Sequence, residues 1–182
     1  MYEEQQQNSL AASSYSECLE LLPSNSKLIP QLHYRLGTLF NILDNVEKAI
    51  SHYRLYLVNP KPDDDETYLI TIRSLAHLHA KVGRYEASFD MYNELIQYLK
   101  VADDKNEVEL ATAYHDMGKI HLELRNFDEA LKNMKNSIDI MKATQNSNEN
   151  QNAKGKILFD MAIVYCQKKE YISATNTLLE VR

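Results

Sequence analysis

The sequence predicts an all-α protein built as a stack of antiparallel helix pairs, and three observations lead there. Glycine and proline are scarce, four of each in 182 residues, so tight turns must be few and helices long. Apolar residues fall at helical spacing, as at Leu32, Leu36, Leu39 and Leu43, which share one face of a helix. The third observation is an internal repeat, which decides the architecture before any single helix does.

The repeat is a set of columns. Gly37, Ala76, Gly118 and Ala162 each follow a large apolar residue, and twelve residues after each comes a second small one, Ala49, Ser88, Ala130 and Ala174. Four residues further on stand Tyr53, Tyr92, Met134 and Leu178. Between the two small residues lie Val46, Tyr85, Phe127 and Tyr171, and three after the first small residue lie Phe40, His79, His121 and Tyr165. The period is 39 residues from Gly37 to Ala76, 42 to Gly118 and 44 to Ala162. Small residues at a fixed offset have a plain cause: two helices approach to about 8 Å only where one presents Gly, Ala or Ser.

Taken in order, residues 1–23 read as a half unit, with Ala11, Tyr15, Cys18 and Pro23 fitting the second helix of a pair. Full units follow at about 28–59, 66–101, 107–143 and 153–182, all in a single array over 1–182. The joints are Asn59 to Glu66, Ala102 to Glu107, and the Asn- and Gln-rich stretch Ala143 to Ala153, read as a loop. Asp63 with Glu66, Asp104 with Glu107 and Asn126 with Glu129 have the spacing of capping boxes that start helices. Solenoid ends need a polar outer face. Either residues 1–22 supply it, or the chain is a piece of a longer array, and the reading leans to the second.

These columns resemble the tetratricopeptide repeat, most closely in YHDMGKIHLELRNFDEA, Tyr114 to Ala130, and the likeness runs from about Leu10 to Val181. The units are longer than the usual ~34 residues. They are similar in this to the repeats of kinesin light chains, spindle-orientation adaptors, rapsyn-like proteins and bacterial peptide-pheromone receptors. The resemblance implies a right-handed α-solenoid whose first helices line a concave face and bind a segment of another protein.

Composition narrows the function. The formal net charge of −6 argues against a dedicated nucleic-acid binder. No run approaches ~18 apolar residues, so no membrane span is expected. Cys18 and Cys166 read as buried small hydrophobes rather than a disulfide. The expectation is a reduced, soluble, cytoplasmic protein, with cytoskeletal association left open. No phosphate loop or Cys-x-x-Cys occurs, and nothing assembles a nucleophile, a base and an orienting group. The pair His77 and His79 points to different sides of a helix, and His79 and His121 sit in a packing column. The acidic run Asp63 to Glu66 reads as a solvated helix start rather than a cation site. No enzyme, no metal and no cofactor are expected.

Carried over by column, the resemblance places partner contacts on the first helices at Tyr34, Thr38 and Asn41, at Arg73, His77 and Lys81, at His115 and Lys119, and at Lys156, whose helix also offers Phe159, Ile163 and Gln167. The family often has Asn directly after the Gly of the first helix. Here that column reads Thr38, His77, Lys119 and Ile163, so the backbone-gripping mode is not implied. The middle of the face is mildly basic, which points to an acidic partner segment. The alternative is a solvated inner face with scattered charges. Two other functions stay open, a ligand-responsive sensor and an assembly component packing through its outer helices at Tyr56, Met91 and Met141.

Overall fold

A computed structural model describes residues 2–58, 65–101, 106–143 and 148–180. The described residues form α1 (Tyr2–Leu21), α2 (Ile29–Ile42), α3 (Val46–Val58), α4 (Asp65–Lys81), α5 (Tyr85–Val101), α6 (Glu107–Glu123), α7 (Phe127–Ala143), α8 (Asn148–Gln167) and α9 (Tyr171–Leu179). They divide into two units, Met1–Ser88 and Phe89–Arg182, with the boundary inside α5.

In the first unit α1 packs on α2, α2 on α3 and α3 on α4. Its core is Leu36 of α2, Ala49, Ile50, Tyr53 and Tyr56 of α3, and Ile72, Leu75, Ala76 and Leu78 of α4, all buried. The column of small residues explains the closeness of α2 and α3. A Cβ on Gly37 would stand 2.6 Å from the Tyr53 ring, so only glycine admits that tyrosine. The Ser88 hydroxyl turns inward and donates to the Ala76 carbonyl at 2.7 Å, which satisfies a polar atom in an apolar site.

In the second unit α6 packs on α7, α7 on α8 and α8 on α9. Ala130, Leu131, Met134, Ile138 and Met141 of α7 meet Ile157, Leu158, Met161 and Val164 of α8 in one core. Gly118 repeats the role of Gly37, since its Cβ would meet Met134 Cγ at 2.8 Å and the Ala130 carbonyl at 3.1 Å.

All four hairpins turn in the same way. Asp44, Gly83, Arg125 and Lys169 have φ of 59, 74, 60 and 64°. Each donates its N–H to the carbonyl three residues back, and the next residue donates to the carbonyl five back. Those second acceptors are Phe40, His79, His121 and Tyr165, at 2.8 to 2.9 Å, one column of the repeat. The donating residue, Asn45, Arg84, Asn126 or Glu170, then offers its own carbonyl to Ala49, Ser88, Ala130 or Ala174. One residue thus closes the helix before it and opens the helix after it, in a left-handed C-terminal cap.

Several expectations are corrected. Cys18 and Cys166 are exposed, because the buried positions near them are Ala12 on α1 and Met161, Ala162 and Val164 on α8. Ala12 is the buried residue of α1, where Ala11 was expected. The stretch Ala143 to Ala153 is not all loop, since α8 begins at Asn148. The cap of α6 is Asn106, whose side chain accepts from Glu109 N–H at 3.1 Å. Asp63 and Asp104 lie outside the described residues. Asn45 caps α3 in the same manner, accepting from Lys48 N–H at 3.4 Å, while Asn126 acts through its carbonyl. Tyr56 and Met141 are core residues and offer no outer contact surface, and Met91 is half-buried. Leu178 is exposed, and Thr177 beside it is the buried residue of that turn.

Candidate functional site

The second unit holds a cleft of about 700 Å³ between the first helices of its two hairpins. His115 and Lys119, one turn apart, face it from α6. Asn152, Gly155, Lys156, Phe159 and Asp160 face it from α8, and their spacing marks a single helix face. The apolar stripe of α8 at Ile157, Leu158, Met161 and Val164 is turned into the core, which forces this polar stripe outward into the cleft.

Across the cleft His115 Nε2 lies 2.7 Å from Asp160 Oδ2, with both side chains largely covered. The imidazole donates and the carboxylate accepts, which ties α6 to α8. Lys119 is half exposed, and its ammonium stands 4.0 Å from the largely buried Asp116 carboxylate. Lys156 is exposed. Phe159 presents a ring that is 58% exposed, unusual for phenylalanine in a folded chain. The cleft therefore offers two ammonium groups and one aromatic face, and can take a carboxylate-bearing segment with an apolar side chain.

Of the residues expected to contact a partner, His115, Lys119 and Lys156 are thus gathered into one cleft, with Phe159. Those of the first unit are placed differently. Tyr34 is half-buried, its ring 5.6 Å from that of Tyr56 and 6.3 Å from that of Tyr53. Thr38 donates to the Tyr34 carbonyl at 3.1 Å and accepts from the Tyr53 hydroxyl at 3.3 Å, so its hydroxyl serves the hairpin. Asn41 and His77 are exposed and Arg73 is half-buried. Lys81 pairs with Asp44 of the α2–α3 turn, and the neighbouring Arg84 pairs with Glu47 at 2.7 Å. That charge is spent between turns. The second unit repeats the arrangement, with Lys168 on Asp128 at 2.8 Å and on Glu170 at 3.0 Å, and these bonds hold the ammonium above its usual pKa.

Asp160 is the site residue that the sequence reading passed over. A signal existed, because Asp116 and Asp160 occupy the same column two residues before the small Gly118 and Ala162. Two acidic residues in an otherwise basic stripe mark the positions where lysine and histidine find partners.

Four other histidines are held neutral by burial. His33 and His52 meet Nδ1 to Nδ1 at 3.1 Å between α2 and α3, and both pKa values are lowered, His52 also by His33 and Lys48. His79 is 2% exposed, and burial and then Arg54, 3.3 Å from its Nε2, lower its pKa. His121 stacks on Phe89 with centroids 4.5 Å apart, and burial lowers it too. Among the described residues no group of three or more His, Cys, Asp or Glu is placed to hold a metal ion, and no helix is long and apolar enough to cross a membrane.

Comparison with known proteins agrees with this geometry. Residues 66–143 match the tetratricopeptide-repeat family model. The outer dynein arm-docking complex subunit 4 of Danio rerio is 22% identical over 112 residues, which cover 61% of this chain and 22% of that protein. The chain thus spans under a quarter of that relative. Among solved structures, BtubC (BKLC) from P. vanneervenii superimposes with a TM-score of 0.82 at 16% identity, covering 98% of this chain and 73% of that one. MamA gives 0.72 at 15% identity, covering 98% and 89%. The kinesin light chain-like repeats of Podosopora anserina give 0.73 at 13% identity, covering 100% and 88%. These likenesses show the fold, an all-α solenoid of tetratricopeptide type.

Proposed function

We infer that this tetratricopeptide-repeat chain is a non-catalytic scaffold whose hairpins form one array, and that it binds an acidic segment of a partner protein through the first helices. Tetratricopeptide folds generally mediate contacts between proteins, and a first-helix cleft with exposed cations and an exposed ring fits that use. The cleft between α6 and α8 carries the reading: Lys119 and Lys156 supply charge, and Phe159 supplies apolar surface. The His115–Asp160 pair braces the walls. A scaffold role is in keeping with the name of the Danio rerio relative, a subunit of a docking complex.

Charge across such a surface acts mainly on encounter rate and on selectivity. Affinity capture from native extract, at low salt, with the wild-type chain and with Lys119→Glu combined with Lys156→Glu, tests the reading. Both residues are exposed, so helix content by circular dichroism should be unchanged. Partner recovery should fall at least tenfold. Equal recovery by the two chains would rule out the cleft as the binding surface.

A further inference from the structure

The last helix differs from the other second helices in a way that stacking does not explain. α9 contains no charged residue. α3 carries Glu47, Lys48 and Arg54, and α7 carries six charged side chains between Asp128 and Lys142. Aligned on the small residues Ala49, Ala130 and Ala174, the position two earlier reads Glu47, Asp128 and Ile172. The position five later reads Arg54, Lys135 and Leu179, and in α5, aligned on Ser88, the two positions read Glu86 and Asn93. In α3 and α7 both positions stay exposed even though a following helix, α4 on α3 and α8 on α7, packs on the helix that carries them. A further hairpin stacked on α9 would therefore leave Ile172 and Leu179 in water, where they are 80% and 57% exposed. They lie seven residues apart and so share one face. An uncharged helix with two large aliphatic residues at positions that are charged or polar in the other second helices is built to be covered.

We propose that this face of α9 pairs with α9 of a second copy of the chain, the two helices antiparallel about a two-fold axis. Charge order selects this occupant. Lys169 is exposed at the start of α9 and Glu180 at its end, with no charge between them. In an antiparallel pair each Lys169 comes beside the partner subunit's Glu180, and the two helix dipoles oppose one another favourably. A parallel pair would set lysine against lysine. The same register sets Ile172 against the partner subunit's Leu179, and places Thr175 and Asn176 at the axis, as a self-complementary two-fold contact requires. Nine residues make a small interface, so the dimer dissociates on dilution.

Sedimentation velocity on the 182-residue chain over a dilution series tests the pairing. The wild type should show a concentration-dependent monomer–dimer exchange. Ile172→Glu and Leu179→Lys, taken singly, should each raise the dissociation constant about thirtyfold, as loss of a central contact does. The two together should restore association, now sensitive to salt, because the new carboxylate and the new ammonium face each other across the axis. A wild type that stays monomeric at every concentration overturns the proposal. So does a dimer indifferent to both single substitutions, or a folded double variant that stays as weak as either single one.

Discussion

His33, His52, His79 and His121 all have pKa values below the ordinary 6.5, and burial is the first cause in each. In the folded chain they are neutral, whereas in the unfolded chain they take up protons as pH falls through 6.5. The unfolded state then binds more protons, so stability is full above pH 6.5 and declines below it toward the lowered folded values. Urea midpoints measured from pH 8 to pH 5 should be flat to about 6.5 and fall thereafter. His121→Phe keeps the stack on Phe89 and removes one titrating group, so its curve should fall less steeply. An equal fall would take His121 out of the account. The roles of His79 and His121 were legible in the sequence because both stand in a packing column. The contact of His33 with His52 was not, since neither stands in a column and their meeting depends on how α2 and α3 rotate against each other.

Within the helix pair, the two glycines of the small column look alike in sequence and differ in what surrounds them. A methyl on Gly37 meets three atoms of the Tyr53 ring within 2.9 Å, and that ring is 2% exposed and held by Thr38. A methyl on Gly118 meets the flexible end of Met134 and one carbonyl. Alanine in place of glycine inside a helix gains about 1 kcal/mol of propensity, and overpacking costs roughly 1–3 kcal/mol. For Gly37→Ala overpacking wins, with a net loss of about 1–2 kcal/mol. For Gly118→Ala the two effects nearly cancel, because methionine can adapt. Chemical denaturation of the two variants should separate them in that order, and equal losses would show that Tyr53 yields as readily as Met134. The small columns and the helix-pair order were legible, since each follows from a spacing. The cap at Asn106 and the exposure of Leu178 were not, because they depend on where a helix starts and how far the last pair winds before its stripe drifts off the core. Asp160 is legible in its column, which it shares with Asp116 in an otherwise basic face.

Within each unit, α1 to α4 and α6 to α9 pack chiefly on their neighbours in sequence, the arrangement expected where stability is the sum of units and their interfaces. Charge is handled at the same scale. Bridges run from turn to turn in both units, at Lys81–Asp44, Arg84–Glu47 and Lys168–Asp128, while Lys119 and Lys156 line the cleft of the second unit. The turns themselves carry one more consequence. Arg84, Arg125 and Lys169 are exposed basic residues at hairpin tips, where a trypsin-like protease would be expected to cut first. A protease must draw its substrate into an extended strand. Arg125 and Lys169 are instead left-handed, and every tip is closed by two main-chain hydrogen bonds shared with the flanking helices. Cleavage there requires the hairpin to open. Brief digestion followed by mass spectrometry should therefore leave the bonds after Arg125 and Lys169 intact in the native chain and show them cut once urea is added. The repeat has placed exposed basic residues inside loops that are tied at both ends by main-chain hydrogen bonds.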